Sequence, residues 1–427
     1  MSDLPACACD ASPGPTTAVV LAGGGAMGAY EAGVLLYALD TLPRELGLPP
    51  RLDIFSGTSA GALNVSFLAA SVDDLGGAAR RLAAFWESIS MGKILRFGGH
   101  EMAYAIRLIV GPGPTRFRLR RKPRPLRRAP HPPVAGLFDT SLLYEQMRQL
   151  IPWGQLQQHM RQGHIRGLAL CATEVCTGTS IVFYQMAPGV QFPVGRDPNK
   201  EARAVTMGVE HAMASSAIPF LFPAIQIGGV CYTDGALRQN TPLNPALRMG
   251  ADRLLVVSLT QRPTEAKHLA RQGCRLNPYP GALFMLGKTA LVFMSQSLDY
   301  ELSRVEMYNR LIRGGCQRYG HEFLGALNDI LSHHRNASYR PVRTCHIRPS
   351  ENLSVLAQEA LRRAPGEVRL PGAAGRLIGR VLASAAVAES ELQGYVLFTP
   401  TYSRMLVDLG FSDARRQRDE LVALIRP

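Results

Sequence analysis

Two glycine-rich turns, each joining an apolar run to a helical one, constrain the fold of this chain more than any other feature. The first lies in VVLAGGGAMGAYEAG (residues 19–33) and the second in FSGTSAGALN (residues 55–64). In both, a short strand-like run precedes the glycines, and apolar residues spaced by three and four follow them. A strand, a tight turn and a helix, repeated along a chain, are typical of a parallel sheet covered by helices on both faces. We therefore predict an α/β protein with a three-layer α/β/α arrangement and a mostly parallel sheet.

The pattern of strands and helices also sets the expected domain organisation. Strand-like runs recur in LALCATEV, SIVFYQM and RLLVVSLT, the last of which should be the final strong parallel strand, and a helix is predicted over residues 201–216. Beyond about residue 262 the pattern becomes largely helical, with one short strand predicted in VRTCHIRP. We expect a flexible leader over residues 1–16, an α/β domain over 17–262, and a mainly helical C-terminal region over 263–427 that packs on that domain.

A proline- and arginine-rich segment interrupts the α/β pattern at residues 111–133. The chain has a formal net charge of +14, and this segment, GPGPTRFRLRRKPRPLRRAPHPP, contains no Asp or Glu. Proline at this density prevents regular helix and interior strand, so one interpretation is a solvated insertion. The other is a basic arm, over residues 116–128, that contacts an anionic membrane at about 1 kcal/mol per basic side chain. Nucleic-acid binding is not expected, because aromatic residues are too sparse for a stacking platform.

The remaining composition argues for a reduced, metal-free protein that does not cross a membrane. The sequence has no run of about eighteen uncharged apolar residues. Its N-terminal segment has neither the basic start nor the apolar core of a secretory signal, so we expect a cytoplasmic protein, with peripheral contact at the inner membrane face as an option. The eight cysteines lie mostly in apolar contexts and lack the spacing of a zinc site, so we expect free thiols and no metal or cofactor.

The first glycine cluster permits two chemical interpretations. Gly23, Gly25 and Gly28 satisfy the G-x-G-x-x-G spacing of a dinucleotide-binding turn. That interpretation is disfavoured, because the acidic residue expected about twenty positions later is misplaced. Asp40 falls in the helix, and Asp53 opens the next strand instead of closing it. The alternative is an anion-binding loop whose backbone N–H groups face a ligand.

The second cluster, GTSAG, indicates a nucleophile. Gly57 and Gly61 allow the strand to turn sharply into a helix, which leaves the hydroxyl of Ser59 exposed on a strained backbone. No histidine has a motif around it that marks it as the base, and His211 is interpreted as structural. Asp234 is the alternative base, because it ends an apolar strand and would lie at the sheet edge where α/β proteins bind ligands. Taken alone, this Asp-Gly pair would be a turn.

In this order, GGGAMG, GTSAG and DGA resemble the motifs of the patatin-like phospholipase family. ASSAIPFLFP (residues 214–223) and DGALRQNTPLNPA are similar to the family's segments before and after the aspartate, and ATEVCTGTSIVF is similar to its central hairpin. The resemblance covers roughly residues 17–260. It implies a patatin-like α/β/α fold, with 17–262 as the catalytic domain. It also implies a serine-dependent lipid acyl hydrolase, a carboxylic ester hydrolase that cleaves phospholipids or related lipids without a cofactor.

The resemblance further implies roles for particular residues. Ser59 would attack the ester carbonyl and Asp234 would act as its base, forming a Ser–Asp dyad without histidine. The residues expected to form the oxyanion hole, through backbone N–H groups, are Gly23, Gly24, Gly25 and Gly28. The residues expected to shape the nucleophile turn and the aspartate loop are Gly57, Gly61, Gly235 and Asn240.

One position departs from the family's pattern. Met27 stands just before the last glycine of the first motif, where the family often has Arg or Lys. Because backbone donors do not depend on this side chain, we expect the oxyanion hole to survive. Two other functions share these motifs. One is an acyltransferase, in which an alcohol other than water takes the acyl group from Ser59. The other is a lipid-binding protein without activity, which only Met27 favours. The motifs carry no signal for headgroup, acyl-chain length or oligomeric state.

Overall fold

A nine-stranded sheet organises the part of the chain that the structure describes. The structure is a computed structural model, and it describes residues 14–94, 136, 138–195, 197–219, 221–261, 298–335, 338–368 and 392–426. The basic segment over 111–133 lies outside these residues. The strands are β1 Thr17–Leu21, β2 Ile54–Thr58, β3 Gly167–Glu174, β4 Ser180–Met186, β5 Lys200–Ala204, β6 Ile225–Ile227, β7 Val230–Asp234, β8 Arg253–Val257 and β9 Arg343–Ile347.

The sheet is mostly parallel, as the sequence predicts. Its order is β5-β4-β3-β2-β1-β8-β9, and the run from β3 to β9 is parallel throughout. Strand β4 is antiparallel to β3, and β5 is parallel to β4. Strand β7 is antiparallel to β3 and also pairs with β6. Strand β9 lies in the stretch VRTCHIRP, where a short strand is predicted, and it extends the parallel sheet beyond β8.

Helices cover both faces of the sheet and complete the predicted three-layer arrangement. Along β1, Val19 and Leu21 enter one apolar core, whereas Ala18 and Val20 enter a second core on the opposite face. Both cores are closed by helices, because a parallel sheet must be buried on each side. The helices are α1 Gly28–Leu36, α2 Leu42–Leu46, α3 Ala60–Ala69, α4 Leu75–Ser88, α5 Met91–Ile94, α6 Ser141–Leu150, α7 Trp153–Gln162, α8 Val209–Ser215, α9 Leu243–Arg248, α10 Leu298–Tyr319, α11 Glu322–Arg335, α12 Leu353–Arg363, α13 Leu392–Val396, α14 Pro400–Arg416 and α15 Arg418–Ile425.

The helix predicted over residues 201–216 is only half correct. Its first part is strand β5, which pairs in register with Ser180–Tyr184 of β4 and forms a largely exposed edge of the sheet. Its second part is helix α8, which begins after Gly208. Strand pairing across the sheet overrides the local helical pattern in the first part, because edge strands depend on their neighbour more than on their own propensity.

The last long helix, α14, packs directly against α1, which follows the first glycine cluster. A Cβ atom placed on Gly33 would lie 2.0 Å from the carbonyl oxygen of Val407, and one on Gly410 would lie 2.1 Å from that of Tyr30. The Tyr30 hydroxyl also donates a hydrogen bond of 3.0 Å to Asp413. Two glycines therefore allow the backbones of α1 and α14 to touch. None of the described helices has the length and apolar character needed to cross a bilayer.

Candidate active site

The GTSAG turn holds Ser59 in a conformation that side chains rarely adopt. Ser59 has a φ of 54°, and it is the only non-glycine residue with positive φ in the described part of the chain. The turn is tight, because a Cβ on Gly57 would lie 2.5 Å from the carbonyl oxygen of Gly61, and one on Gly61 would lie 2.6 Å from that of Leu21. Strand β2 thus passes into α3 without a loop. Ser59 lies at the turn between them, where it is 1% exposed and therefore buried, not exposed as the sequence predicts.

Two strands that approach each other along β3 bring Ser59 and Asp234 together. Strand β2 ends with Thr58 opposite Cys171, and the antiparallel β7 ends with Asp234 opposite Ala172, the next residue of β3. Ser59, which follows the end of β2, therefore meets Asp234, the last residue of β7. Ser59 Oγ donates a hydrogen bond of 2.6 Å to Asp234 Oδ2. The 175 positions that separate the two residues in sequence are bridged by strand pairing alone.

Burial gives the Asp234 carboxyl the acid–base character of a group that titrates near neutral pH. Asp234 is fully buried, and burial raises its pKa to about 7, although the hydrogen bonds from Ser59 and Ala236 oppose the rise. The Ala236 N–H donates to Asp234 Oδ1 at 2.8 Å. Gly235 allows this turn, because a Cβ there would lie 2.1 Å from the carbonyl oxygen of Cys171. The carboxylate can therefore accept a proton from Ser59 at a moderate free-energy cost.

A pair of serines at the end of α8 fixes the backbone of Ser59. The Ser59 N–H donates to Ser215 Oγ at 3.0 Å, and Ser215 Oγ donates to the Cys171 carbonyl at 2.5 Å. Ser216 Oγ donates to the Ser59 carbonyl at 3.0 Å. Both serines belong to the ASSAIPFLFP stretch, but the sequence interpretation gave them no role. Adjacent serines at the end of an apolar helix were the available signal, and only the tertiary structure brings them to Ser59.

The first glycine cluster presents a short row of backbone N–H groups beside Ser59. Gly25 has a φ of 54°, and a Cβ there would lie 2.2 Å from the carbonyl oxygen of Tyr395 in α13. The N–H groups of Gly24, Gly25 and Ala26 have no acceptor among the described residues. Gly25 lines the same cavity as Ser59. These three groups are therefore able to accept an anion as a ligand.

Two of the four predicted oxyanion donors do not fit that role. The Gly23 N–H donates to the Asn240 carbonyl at 2.9 Å, and the Gly28 N–H donates within the turn over Gly25–Met27. These bonds hold the ends of the glycine loop, so Gly23 and Gly28 shape it without facing a ligand. Gly28 also packs closely, because a Cβ there would lie 2.7 Å from the Ala60 Cβ. The candidate oxyanion hole therefore consists of the N–H groups of Gly24, Gly25 and Ala26.

Asn240 lies against the glycine loop and next to Ser59. A Cβ built on Gly23 would lie 2.6 Å from Asn240 Oδ1 and 3.1 Å from the Cβ of Ser59, so the two side chains flank the same point. Asn240 Oδ1 is buried and has no hydrogen-bond partner among the described residues. The residue therefore contributes its carbonyl to the loop and its side-chain amide to the border of the site.

Met27 faces the core and not the site. Its side chain is 4% exposed and belongs to the apolar core that α1, α3 and α4 share. Its Sδ would lie 3.3 Å from a Cβ on Gly394, a residue of α13. An Arg or Lys at this position would have to bury its charge between the glycine loop and α13, so the apolar Met27 suits its surroundings.

An apolar cavity opens beside Ser59. Its volume is about 30 Å³, and Gly25, Ser59 and Ser216 are among the residues that line it. Side chains of α3, α4 and α6 form the rest of its wall together with Phe222 and Phe398. Such a lining excludes water and suits a hydrocarbon chain.

Neither a histidine base nor a metal cluster accompanies this arrangement in the described ranges. No histidine there bonds to Ser59 or Asp234. His211 instead accepts the Gly208 N–H at 3.2 Å, and burial lowers its pKa. No group of three potential metal ligands occurs among the described residues. Among the described residues, the side chain that accepts the Ser59 hydroxyl hydrogen bond is the carboxyl of Asp234.

Comparison with known proteins gives a family match and similarity to solved structures. The crystal structure of VipD from Legionella pneumophila shares 14% identity over 96% of this chain and 67% of that chain, with a TM-score of 0.33, which is too low to relate the two folds. A search of curated proteins finds no match. The family model of the patatin-like phospholipases matches residues 19–247, a range that contains Ser59, Asp234 and both glycine clusters. Because this match spans more than half of the 427 residues, the chain belongs to the patatin-like phospholipase family.

Proposed function

We propose that this protein is a serine-dependent lipid acyl hydrolase that cleaves phospholipids or related acyl esters through a Ser–Asp dyad. Family membership supports lipid hydrolysis in general. The observation that carries the finer proposal is the 2.6 Å hydrogen bond from Ser59 Oγ to Asp234. It lies beside an apolar cavity and a row of unbonded N–H groups. A nucleophile with its base, an anion site and an acyl pocket are the parts that ester cleavage needs.

In the acylation step, Asp234 accepts the Ser59 proton while Oγ forms a bond to the ester carbonyl carbon. The carbonyl oxygen becomes an anion, which the N–H groups of Gly24 and Gly25 stabilise. The carbon–oxygen bond to the leaving alcohol then breaks, and that alcohol takes the proton from Asp234. The acyl group remains on Ser59 as an ester, and Asp234 is again a carboxylate.

In the deacylation step, water takes the place of the alcohol. Asp234 removes a proton from water as its oxygen attacks the acyl-enzyme carbonyl, and the same N–H groups hold the second anion. The bond to Ser59 Oγ breaks, and Oγ recovers its proton from Asp234. A free carboxylic acid leaves, and the enzyme returns to its starting state.

The surroundings of Ser59 suggest how a lipid would lie. The acyl chain would enter the apolar cavity by displacing the side chains that line it, and burial of each methylene would contribute about 0.8 kcal/mol. The leaving group would extend toward Asn240, whose unpartnered Oδ1 lies beside Ser59 and would accept a hydrogen bond from a headgroup N–H or O–H. The basic segment over residues 116–128 would bring the protein to an anionic membrane surface.

Labelling with a fluorophosphonate tests the dyad directly. We expect wild-type protein to take up the probe at Ser59 and to hydrolyse a short chromogenic ester, and we expect Ser59→Ala to do neither. Mass spectrometry of the labelled peptide identifies the modified residue. Addition of a lysophospholipid or an alcohol acceptor distinguishes the acyltransferase, which would form an acylated acceptor in preference to free acid. If folded wild-type protein neither takes up the probe nor hydrolyses the ester in detergent, the result would support a lipid-binding protein without activity.

Vesicle flotation tests the basic segment separately. We expect binding to vesicles that contain anionic lipid and weak binding to neutral vesicles. Neutralising Arg120, Arg121, Arg127 and Arg128 together should reduce the anionic binding. Unchanged flotation of that variant would remove the membrane-contact proposal and leave the hydrolase proposal intact.

A further inference from the structure

Three buried polar side chains form a hydrogen-bonded chain beneath the glycine loop. The indole N–H of Trp86, in α4, donates to Asn64 Oδ1 at 2.9 Å. The amide of Asn64, in α3, donates to Glu31 Oε2 at 2.8 Å and to the Gly28 carbonyl at 3.2 Å. Glu31, in α1, is 0% exposed, Asn64 is 1% exposed and Trp86 is 3% exposed. The catalytic steps proposed above use none of these three side chains.

This chain connects the acyl cavity with the loop that carries the candidate oxyanion donors. Asn64 and Trp86 both line the cavity beside Ser59. The Trp86 ring also packs on the last glycine of the loop, because a Cβ on Gly28 would lie 2.8 Å from its Cζ2. At the other end, the N–H of Ala22, just before the loop, interacts with the Glu31 carboxyl. The chain therefore contacts the loop at both of its ends.

The Glu31 carboxyl contributes a buried hydrogen-bond acceptor to this chain. Burial raises its pKa well above the usual range, although the Asn64 hydrogen bond and the nearby Ala22 N–H oppose the rise. Its Oε2 accepts the Asn64 hydrogen bond, whereas its Oε1 is buried without a hydrogen-bond partner among the described residues. An apolar side chain would fill this space at a lower cost of desolvation, so a buried acid here indicates a requirement for its hydrogen bonds.

We propose that Glu31, Asn64 and Trp86 are positioning residues that fix the glycine loop relative to Ser59. They also couple the position of the loop to the side chains that line the acyl cavity. The proposal rests on the hydrolase function proposed above. Asn64 is central, because it lies on the helix that starts at the nucleophile and bonds to the carbonyl of Gly28. A displacement of the loop would move the Gly24 and Gly25 donors relative to the substrate oxygen, which reduces the rate more than it reduces binding.

Steady-state kinetics on a short butyryl ester test the positioning role. Glu31→Gln keeps an acceptor oxygen in a side chain of the same shape, so kcat should stay within about twofold of wild type. Glu31→Ala removes the acceptor, and kcat should fall by about tenfold or more while KM changes little. Thermal unfolding identifies any variant that fails to fold. Glu31→Ala with wild-type kcat, or Glu31→Gln as slow as Glu31→Ala, would overturn the proposal.

Two tryptophan variants keep the test independent of Glu31. The chain has two tryptophans, and both indole N–H groups donate hydrogen bonds, Trp86 to Asn64 and Trp153 to the carbonyl of Met147. Trp86→Phe retains an aromatic ring but loses the link, so kcat should fall by about tenfold. The matched control, Trp153→Phe, should keep wild-type kcat. Equal rates for the two variants would overturn the proposal even if Glu31→Ala does not fold.

Fluorescence tests the connection to the acyl cavity. In the double variant Trp153→Phe with Ser59→Ala, Trp86 is the only tryptophan, and decanoic acid is the probe. We expect a saturable change in its emission, and an unchanged emission at concentrations that inhibit wild-type hydrolysis would overturn the connection. A wild type that neither labels nor hydrolyses would overturn the proposed function and this inference together. An active wild type with full kcat in Glu31→Ala and Trp86→Phe would overturn this inference alone.

Discussion

Replacing Asp234 by Asn should make the protein more stable while it removes catalysis. The Asp234 pKa is about 7 in the folded protein, against an ordinary value of 3.8. The folded state therefore retains a proton that the unfolded chain releases, and stability is lost as the pH rises from about 4 through 7. This separation of pKa values corresponds to about 4 kcal/mol of lost stability at pH 8, and to about 2 kcal/mol at pH 5.

Asn is neutral at every pH and can make the same two contacts. Its side-chain carbonyl can accept from the Ala236 N–H, and its amide can donate to Ser59 Oγ. The free energy of unfolding of Asp234→Asn should thus exceed that of wild type by about 4 kcal/mol at pH 8 and by about 2 kcal/mol at pH 5. Urea unfolding at both pH values measures the difference. Asp408→Asn, which changes an exposed carboxyl on α14, is the control and should show no such dependence.

The pH dependence of wild-type kcat/KM should reflect the same ionisation of Asp234. Below pH 7, kcat/KM should fall about tenfold per pH unit, because only the carboxylate form of Asp234 can accept the Ser59 proton. Asp234→Asn should be inactive throughout. A stability difference between the two proteins that does not change with pH, or an Asn variant that is less stable at pH 8, would refute the assignment of a buried, proton-binding carboxyl.

Three further substitutions test the surroundings of the dyad. Gly25→Ala should lower kcat by about a hundredfold or more in ester hydrolysis, because its Cβ would press on the Tyr395 carbonyl and displace the loop donors; near-wild-type kcat would contradict this. Met27→Lys should lower the melting temperature by burying an ammonium group, whereas Met27→Leu should cost less than about 1.5 kcal/mol; equal melting temperatures would contradict it. Asn240→Ala should slow phospholipid cleavage more than cleavage of a chromogenic ester that lacks a headgroup, and equal losses on both substrates would contradict a contact with the headgroup.

The sequence predicted the parts of the site whose geometry is local. GTSAG determines its own turn, because Gly57 and Gly61 must approach each other whatever the rest of the chain does. The Asp-Gly pair at Asp234 also predicts the end of a strand from local sequence, because an apolar run precedes it and a glycine follows it. The family match then covered the segment between them, and the mostly parallel sheet followed from the alternation of strands and helices.

The parts that escaped prediction depend on contacts between distant segments. Ser215 and Ser216 are ordinary helix residues until the fold brings them to Ser59. The expected donor roles of Gly23 and Gly28 were wrong because Asn240 and the loop itself already use those N–H groups. The local sequence of β5 predicts a helix, because its pairing with β4 is the feature that makes it a strand.

The contact between Gly25 and the Tyr395 carbonyl has a consequence for the order in which activity could arise during synthesis. The nucleophile, the base and the glycine loop all leave the ribosome before residue 395 does, yet the loop rests on that carbonyl. A nascent chain that already contains Ser59 and Asp234 would still lack the support for its oxyanion donors. Such an arrangement would keep the proposed hydrolase inactive until the segment that contains Tyr395 has been synthesised and has packed against the loop.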